Sequence, residues 1–443
     1  MRPRLYAVSA AGPQELEQEV KNLAESLETG GEVPHRPRDL PFRRAVVADD
    51  PADAARLLRE AEPGGTHGPD GPGGPGGPGG GPASIVFMFS GVGDQYPGMA
   101  SGLYRHLPRF RTELDRCLEL LRAATGTDLR EVLYPGGPGD PGDETGGPGG
   151  GTGGPGGGPR APDLAALFDR RASVQEIHRT RVAQPLAFAT QYALARTLVA
   201  LGVTPSALIG YSVGEYVAAC LAGVMRPGDA LGLIAHRARL VDGLPPGAML
   251  AVMAAPEALA PHLGEDGVSV AAFDGPRLTV LAGPPDAVER VAGRLADAEI
   301  AGRRLATGHA FHSPLMAPVE EPLRAALAAI PLRPPAVPFP SNVTGTWITG
   351  AEATDPAYWA RHLSTPLRFA EALARISDLP RPVTVELGPG RTLTGLASHQ
   401  GPKLRTIPGV FESRTDLRLT LTALARLWEW GTDLDWSGLR ELS

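Results

Sequence analysis

The feature that most constrains the fold is a serine flanked by glycines at the junction of an apolar strand and a helix. The motif runs from Gly210 to Gly214, with Ser212 at its centre. Residues 207–209 are apolar and typical of a strand, and residues 215–222 have helical composition without glycine or proline. Glycines at these places permit a sharp turn, and the helix start behind the serine favours negative charge near its hydroxyl. The pattern predicts a nucleophile elbow; the alternative is a glycine-rich turn with a solvent-facing serine.

The segments around this motif predict an α/β architecture. Residues 85–89 form an apolar strand of the kind that is buried on both faces. That strand runs into a glycine turn at residues 90–95, whose main-chain amides are able to face an anion. Helical patterns cover residues 103–121 and 183–201. Because strands alternate with helices, we expect a mostly parallel sheet covered on both sides.

Two smaller units flank or interrupt this pattern. At the N-terminus, strands at 5–9 and 44–48 alternate with helices, of which the first ends at Gly30 and the second begins at the N-cap Asp50. Farther along, residues 249–305 predict the order βαββαβ, a ferredoxin-like subdomain inserted into the larger unit. Its predicted strands and helices are 249–253, 256–263, 268–273, 277–282, 285–297 and 302–305. A cleft between the two units is a natural place for a small substrate.

Composition excludes several classes of protein. The formal net charge of −7 argues against a general nucleic-acid binder, and no run is long and apolar enough for a membrane span or a signal peptide. Cys117 and Cys220 lie far apart and form no metal or disulfide pattern, which suits the reducing cytoplasm. Two segments dominated by glycine and proline, 63–82 and 135–162, predict flexible linkers or an extruded loop.

Three further residues are candidates for chemistry. His309 and His312 lie where the chain returns from the inserted unit, and a histidine with a pKa near neutrality is suited to activate Ser212. Either histidine is equally compatible with a structural role. Arg237 lies on the second helix after the serine motif, where its planar guanidinium is able to hold a carboxylate with two hydrogen bonds if it faces the cleft.

These motifs together resemble the acyltransferase domain of modular type I polyketide synthases, and they are similar to malonyl-CoA:acyl-carrier-protein transacylases. The order and spacing agree from about residue 85 to residue 396, and linker-like segments extend the resemblance over nearly the whole chain. The segments that carry it are 89–95, 183–185, 210–216, 309–314, 341–345 and 386–390.

The resemblance implies a role for each matching residue. Ser212 corresponds to the nucleophile, His312 to the base and Arg237 to the group that binds the substrate carboxylate. The amides of Val92 and Val213 correspond to the oxyanion hole.

Three further positions correspond to supporting groups of the family's site. Gln184 and Asn342 are polar residues that line it. His362 stands where a main-chain carbonyl orients the catalytic histidine, so its side chain is expected to be incidental.

Substrate selection rests on weaker matches. The run from His309 through Phe311 to His312 matches the family's fingerprint for malonyl rather than methylmalonyl units, and a bulky Phe311 is able to crowd an α-methyl group. Three positions depart from the family pattern: Val92 replaces a glutamine, Tyr211 a histidine and Asp274 an asparagine. These departures bear on the substrate more than on the reaction.

The implied function is transfer of a malonyl unit from malonyl-CoA, through an acyl-serine, to the phosphopantetheine thiol of an acyl carrier protein. The expected partners are that carrier protein, the neighbouring ketosynthase and other synthase domains; no nucleic acid, membrane, metal or bound cofactor is expected. The expected fold class is α/β, with an α/β-hydrolase-like large subdomain, an inserted ferredoxin-like small subdomain and an N-terminal α/β linker domain.

The expected domain boundaries follow from the same comparison of segments. They are a ketosynthase-to-acyltransferase linker at 1–62, a glycine- and proline-rich linker at 63–83, the large subdomain at 84–247 and 308–400, the small subdomain at 248–307, and a post-acyltransferase linker at 401–443.

Two other classes of function remain open at the level of sequence. A serine hydrolase or lipase is one: an α/β-hydrolase needs an acid between its serine and its histidine, and a patatin-like enzyme pairs Ser212 with Asp274. The acids available for the first case are Asp229, Asp242, Glu257, Glu265, Asp266 and Asp274. A non-catalytic docking module of a synthase is the other.

Overall fold

The computed structural model describes residues 2–31, 37–38, 40–61, 83–135, 176–263, 267–399, 404–409, 411 and 415–440. The segments predicted as flexible linkers, 63–82 and 135–162, lie outside the described residues except for Pro135.

The described residues form strands and helices that alternate along most of the chain. The strands are β1 (Arg4–Ala10), β2 (Phe42–Ala48), β3 (Ser84–Phe89), β4 (Ala207–Gly210), β5 (Ala248–Val252), β6 (Ser269–Gly275), β7 (Leu278–Gly283), β8 (Gly302–Arg304), β9 (Pro382–Glu386) and β10 (Arg405–Ile407). The helices of the first half are α1 (Pro13–Thr29), α2 (Pro51–Glu60), α3 (Ser101–His106), α4 (Pro108–Thr125), α5 (Arg130–Leu133), α6 (Thr180–Ala200), α7 (Val213–Leu221) and α8 (Pro227–Asp242). Those of the second half are α9 (Pro256–Leu263), α10 (Pro285–Asp297), α11 (Glu320–Leu327), α12 (Gly350–Ala353), α13 (Pro356–Arg361), α14 (Phe369–Ser377), α15 (Thr392–Ser398), α16 (Asp416–Glu429) and α17 (Trp436–Arg440), with a 3₁₀ helix at Pro314–Val319.

The N-terminal unit is a two-stranded antiparallel sheet with helices α1 and α2 packed against it. Leu5 of β1 lies opposite Val47 of β2. The predicted helix signals are present: Gly30 ends α1 with φ of 72°, and the Asp50 side chain accepts a hydrogen bond from the Asp53 amide at 2.8 Å. Helix α16, near the other end of the chain, packs on β2, so the two ends of the described chain meet.

The large unit is built on a parallel sheet in the order β10–β9–β3–β4. Strand β3 is buried over nearly its whole length, as its continuous apolar sequence predicts. The helical pattern over residues 103–121 corresponds to two helices rather than one. The chain leaves α3 at Leu107 and starts α4 at Pro108, because proline is accepted in the first turn of a helix but not in its interior.

The small unit has the predicted βαββαβ order. Its sheet is antiparallel, in the order β6–β7–β5–β8, which is the ferredoxin-like arrangement. The chain enters it after α8 and leaves it before the 3₁₀ helix, so the unit is an insertion into the larger one. The α/β fold class with an inserted small subdomain and an N-terminal α/β unit is therefore confirmed.

This architecture places two turns side by side at one edge of the parallel sheet. Strands β3 and β4 are parallel neighbours, so the turn after Phe89 and the turn after Gly210 emerge at the same end. Ligands of open α/β sheets bind in the crevice at the carboxyl ends of the strands. The small unit covers that crevice.

Candidate active site

The serine motif forms a tight turn between β4 and α7. Ser212 has φ of 55° and ψ of −117°, a conformation that L-residues rarely adopt. Both glycines are required by close packing: a Cβ at Gly210 would lie 2.2 Å from the Glu215 nitrogen, and a Cβ at Gly214 would lie 2.1 Å from the Phe89 carbonyl oxygen. The strained serine on a turn that only glycine permits is the geometry of a nucleophile elbow.

The hydroxyl of Ser212 contacts the imidazole of His312. Ser212 Oγ lies 2.8 Å from His312 Nε2, and His312 Nδ1 lies 3.1 Å from the main-chain carbonyl oxygen of His362. Because a carbonyl oxygen only accepts, Nδ1 carries the proton and donates it, which leaves the Nε2 lone pair facing the serine. The hydroxyl is thus placed to give its proton to a neutral imidazole.

The protonation state of His312 suits this arrangement. The side chain is 2% exposed. Burial, with smaller contributions from the neighbouring His362 and Arg237, holds the pKa of His312 well below its usual range. The imidazole is therefore neutral at neutral pH and able to accept a proton.

Asn342 fixes the turn that carries the serine. Its Oδ1 accepts a hydrogen bond from the Ser212 amide at 2.9 Å, and its Nδ2 donates to the Gly210 carbonyl oxygen at 2.8 Å. The side chain is fully buried, so these bonds are shielded from water. Asn342 therefore stabilises the main chain of the elbow and does not line the cavity next to Ser212.

Two main-chain amides point to a site for developing negative charge. The N–H groups of Val92 and Val213 donate no hydrogen bond to the described residues. Val213 is the first residue of α7, and Val92 lies in the turn after β3. Free amides at these two turns are the groups that an oxyanion hole needs.

The turn after β3 is held by Gln191, a residue that sequence reasoning missed. Its Oε1 accepts from the Ser90 amide at 2.7 Å, and its Nε2 donates to the Ser90 carbonyl oxygen at 3.1 Å. Gln191 lies on α6, one hundred and one residues from Ser90 in sequence. A lone glutamine inside a helical pattern gives no signal for such a role.

Arg237 is a buried cation without an anionic partner among the described residues. It is 1% exposed, and Nη1 donates to Gln184 Oε1. Nε and Nη2 have no hydrogen-bond partner in the described part of the chain, and the guanidinium carbon lies 5.4 Å from the centre of the Tyr216 ring. A charge in this position is costly unless an anion joins it, so Arg237 and Gln184 form a ready site for a carboxylate.

One cavity is lined by Ser212, His312, Arg237 and the two residues with free amides, Val92 and Val213. Its volume is about 790 Å³, and it lies between the two subdomains. The large unit contributes Ser212, His312, Arg237 and Gln184 to its wall, while Met249 and Val280 come from the small unit. The structure thus brings together the three groups that the sequence predicted to share a crevice.

The predicted specificity residues divide into two groups. Phe311 and Tyr211 line the cavity. His309 does not line it; its Nδ1 lies 3.1 Å from Thr180 Oγ1, and its ring packs edge-on against Phe311 at 6.0 Å. His309 therefore acts, at most, through the placement of Phe311.

The expectation that the His362 side chain is incidental is wrong. That side chain is fully buried, and its Nε2 lies 3.2 Å from Glu215 Oε2. Glu215 also accepts from the Asn342 amide at 2.7 Å and from the Tyr358 hydroxyl. One buried carboxylate thus ties together the segment that orients His312 and the segment that supports Ser212.

Replacing Glu215 with alanine is expected to lower the free energy of unfolding by about 3 kcal/mol, because three buried donors lose their acceptor. Urea denaturation followed by circular dichroism measures this. The matched control is Glu321→Ala, whose side chain is 72% exposed and whose loss is expected to change little. Equal midpoints for the two variants would contradict a supporting role for Glu215.

The arrangement disfavours the two hydrolase geometries. The place of the acid in an α/β-hydrolase triad, at His312 Nδ1, is taken by the His362 carbonyl oxygen. Asp274 accepts a hydrogen bond from the Tyr211 hydroxyl at 3.1 Å and makes no hydrogen bond to Ser212 within the described chain. Of the other candidate acids, Glu265 and Asp266 lie outside the described residues.

The described residues contain no cluster of three histidine, cysteine or acidic side chains arranged to hold a metal ion. In the same part of the chain, no helix is both long and apolar enough to cross a bilayer.

Comparisons with known proteins identify a family and a fold that the chain resembles. Residues 86–403 match the family model described as acyl transferase domain. The chain is 34% identical over 466 residues to a component of the phenolphthiocerol/phthiocerol polyketide synthase of Mycobacterium tuberculosis, an alignment that covers 99% of this chain and 28% of that protein. The chain therefore spans little more than a quarter of the length of that relative.

Solved structures extend the comparison to the fold. The crystal structure of the acyl transferase domain of SpnD, in complex with 2-(pent-4-yn-1-yl)malonyl, is 35% identical with a TM-score of 0.77, and the match covers 98% of this chain and 97% of that one. A malonyl-transacylase in complex with its type II polyketide synthase acyl-carrier protein (PlMCAT:AntF) is 25% identical with a TM-score of 0.62, over 77% of this chain and 100% of that one.

Proposed function

The chain belongs to the acyl transferase domain family, and from that premise we propose that it moves a malonyl-type unit from coenzyme A, through an ester on Ser212, to the phosphopantetheine thiol of an acyl carrier protein. One observation carries the proposal: the buried guanidinium of Arg237, which has no anionic partner among the described residues, shares a cavity with the hydrogen-bonded Ser212 and His312. A serine hydrolase does not need a buried cation at this place. An enzyme whose thioester substrate carries a free carboxylate does need one, to bind that carboxylate.

The first half-reaction acylates the serine. His312 Nε2 takes the proton of the Ser212 hydroxyl as Oγ attacks the thioester carbonyl carbon. When the tetrahedral intermediate collapses, the carbon–sulfur bond breaks and the imidazolium gives its proton to the departing coenzyme A thiolate. The product is a malonyl ester of Ser212.

The second half-reaction reverses these roles. The phosphopantetheine thiol of the carrier protein gives its proton to His312 Nε2 while its sulfur attacks the ester carbonyl. The carbon–oxygen bond to Ser212 breaks, and Oγ takes the proton back from the imidazolium. Because the two thiols use the site in turn, ping-pong kinetics are expected.

Main-chain amides stabilise both tetrahedral intermediates. Among the described residues the N–H groups of Val92 and Val213 have no acceptor, and both residues line the cavity together with Ser212, where the oxyanion would form. One such donor is typically worth about 3 kcal/mol of transition-state stabilisation. The Gln191 bonds to Ser90 hold the turn after β3, and the Asn342 bond to Ser212 holds the turn after β4.

Arg237 and Phe311 select the acyl unit in this proposal. Nε and Nη2 of Arg237 are able to hold a carboxylate oxygen each, as two parallel charge-assisted hydrogen bonds. Phe311 forms part of the wall and crowds an α-substituent, which favours malonyl over methylmalonyl. A single methyl group is worth only about 1–3 kcal/mol, so this preference is a bias. The SpnD relative, solved with a substituted malonyl group, supports the malonyl class as a whole.

The proposed partners are an acyl carrier protein and the neighbouring domains of a polyketide synthase. The malonyl-transacylase solved with its acyl-carrier protein supports the first, and the much longer polyketide synthase relatives support the second. Phosphopantetheine arrives on the carrier protein, and malonyl-CoA is the donor substrate; the proposal needs no resident cofactor.

Intact-mass spectrometry after exposure to acyl-CoAs tests the proposal directly. Malonyl-CoA is expected to add one malonyl group to the wild-type chain and none to Ser212→Ala, and acetyl-CoA is expected to label far less. Equal labelling by malonyl-CoA and acetyl-CoA would remove the role of Arg237. Failure of every acyl-CoA to label the chain would favour a non-catalytic docking module.

The pH dependence of acylation follows from the lowered pKa of His312. The base must be neutral, and its neutral fraction falls as the pH drops through its pKa. The pKa of His312 lies below the usual histidine value of about 6.5. We therefore expect kcat/KM to stay constant as the pH falls to about 6.5 and to decrease only at lower pH. Burial raises the pKa of Asp274 to about 7, so the profile is measured in wild type and in Asp274→Asn. If kcat/KM decreased already at or above neutral pH, and did so in Asp274→Asn as well as in wild type, a neutral His312 would be contradicted.

A further inference from the structure

Two of the three departures from the family pattern contact each other. Tyr211 precedes the nucleophile in sequence, and Asp274 lies near the end of β6 in the small subdomain. The Tyr211 hydroxyl donates to Asp274 Oδ2 at 3.1 Å. Both side chains line the cavity that holds Ser212. The pair therefore forms a bridge between the subdomains at the wall of the site.

The Asp274 carboxyl has spare capacity to accept hydrogen bonds. The residue is 6% exposed, and its Oδ1 has no hydrogen-bond partner among the described residues. No basic side chain of the described chain forms an ion pair with it, and burial raises the pKa of its carboxyl. A buried acceptor without a donor is unfavourable, and in a cavity wall it is the mark of a group that a ligand completes.

Strand register locates Asp274 toward the open end of the cavity. The hairpin after it pairs Gly275 with Leu278, and the next residue, Thr279, lies opposite Val252. Met253, which follows Val252, lines the cavity and is 55% exposed. The opposite end of β5 is deep, where Met249 packs with Phe311.

The positions of Arg237 and Asp274 in the cavity correspond to the two ends of an acyl thioester, the acyl carboxylate and the arm beyond the sulfur. The acyl carboxylate is held at Arg237, so the arm beyond the sulfur must leave past Ser212 toward the open end. Asp274 lines the same cavity and contacts Tyr211, the residue next to the nucleophile. The pantetheine arm, which coenzyme A and the carrier protein share, carries amide N–H groups close to the sulfur. An amide N–H is a donor of the kind the Asp274 carboxyl lacks.

From these contacts we infer that the Asp274 carboxyl, oriented by the Tyr211 hydroxyl, accepts a hydrogen bond from a donor group of the acyl thioester, and that this donor is an amide N–H of the pantetheine arm. The inference rests on the proposed function, since it concerns the same site and substrate. It makes the pair a recognition element for the arm in both half-reactions.

The test compares two thioesters that differ by one donor. Malonyl-N-acetylcysteamine has the amide N–H nearest the sulfur, and its analogue with CH₂ in place of that N–H does not. At pH 8, above the Asp274 pKa of about 7, wild-type acylation is expected to favour the first by about tenfold to a hundredfold in kcat/KM, the range of one hydrogen bond to a charged group. In Asp274→Ala this ratio is expected to fall toward one, and Tyr211→Phe is expected to lie between.

Conservative and matched variants separate recognition from folding. Asp274→Asn keeps an acceptor oxygen in the same shape but carries no charge, so it is expected to retain part of the ratio. Asp286→Ala removes an exposed carboxylate from the same subdomain and is expected to leave the ratio at the wild-type value. Because each variant is judged by a ratio between two substrates, a partial loss of folded protein cancels out.

Three results would overturn the inference. One is a wild-type ratio near one, and another is a ratio that Asp274→Ala leaves intact. The third result would place the donor on the acyl group. If Asp274→Ala slows acylation by hydroxymalonyl-CoA relative to malonyl-CoA but leaves the N-acetylcysteamine ratio unchanged, the Asp274 carboxyl accepts a hydrogen bond from an acyl hydroxyl. Acylation of Ser212 by malonyl-CoA is measured first, since its absence would refute the proposed function rather than this inference.

Discussion

Ser212→Ala is expected to abolish the acyl-enzyme and to lower transfer to a carrier protein by about 10⁴-fold or more, as removal of a nucleophile does in other enzymes that form acyl-serines. The reason is geometric: Ser212 Oγ is the hydroxyl held 2.8 Å from His312 Nε2, and the main chain that carries it is strained by a positive φ. Intact mass measures the acyl-enzyme, and transfer of radiolabelled malonyl measures the overall rate.

His312→Ala is the companion variant, because nucleophile and base act as a unit and each alone removes most of the rate. Its expected loss is close to that of Ser212→Ala. The matched control is His399→Ala, an exposed histidine of the large unit whose loss is expected to leave transfer intact. If His312→Ala kept substantial activity, a serine–aspartate dyad would become the better account of the site.

Arg237→Ala is expected to lower kcat/KM for malonyl-CoA by about 10²- to 10³-fold, the effect of deleting one partner of a buried charge pair. Its effect on acetyl-CoA is expected to be small, because that substrate has no carboxylate to pair with the two unpartnered nitrogens. The preference for malonyl over acetyl, measured as the ratio of acylation rates, is expected to collapse.

Arg239→Ala tests whether this effect belongs to position 237. Arg239 lies on the same helix, α8, but its side chain is exposed. Arg239→Ala removes one positive charge from α8, as Arg237→Ala does, so the two variants have the same net charge. A comparable loss of malonyl preference in both variants would show that net charge, and not a carboxylate contact, is responsible.

Local patterns were sufficient for the elements and for the elbow. The apolar run of β3, the cap at Asp50 and the glycines around Ser212 each determine a conformation through contacts within a few residues of sequence. The same holds for the ferredoxin-like order, which needs only the succession of strands and helices. The break at Leu107 was missed because the apolar pattern continues across Pro108.

Contacts between distant segments were not accessible in this way. Gln191, Glu215 and the side chain of His362 have no local signature, yet each is buried and holds a piece of the site in place. Their importance comes from the removal of water, which turns an ordinary polar group into one that must find a partner. The contact between Tyr211 and Asp274 is of the same kind, since the two residues are sixty-three positions apart.

The amino-acid sequence by itself determined the α/β succession of elements, the strained turn at Ser212 and the types of side chain available for acyl transfer. The folded structure was needed to show the contact of His312 with Ser212, the lack of an anion beside Arg237 among the described residues, and the hydrogen bond of Asp274 to Tyr211 instead of the nucleophile. The physical reason is range: a turn or a helix forms from neighbours in sequence, whereas burial, unpaired charge and hydrogen-bond partners exist only after remote segments have excluded water from between them.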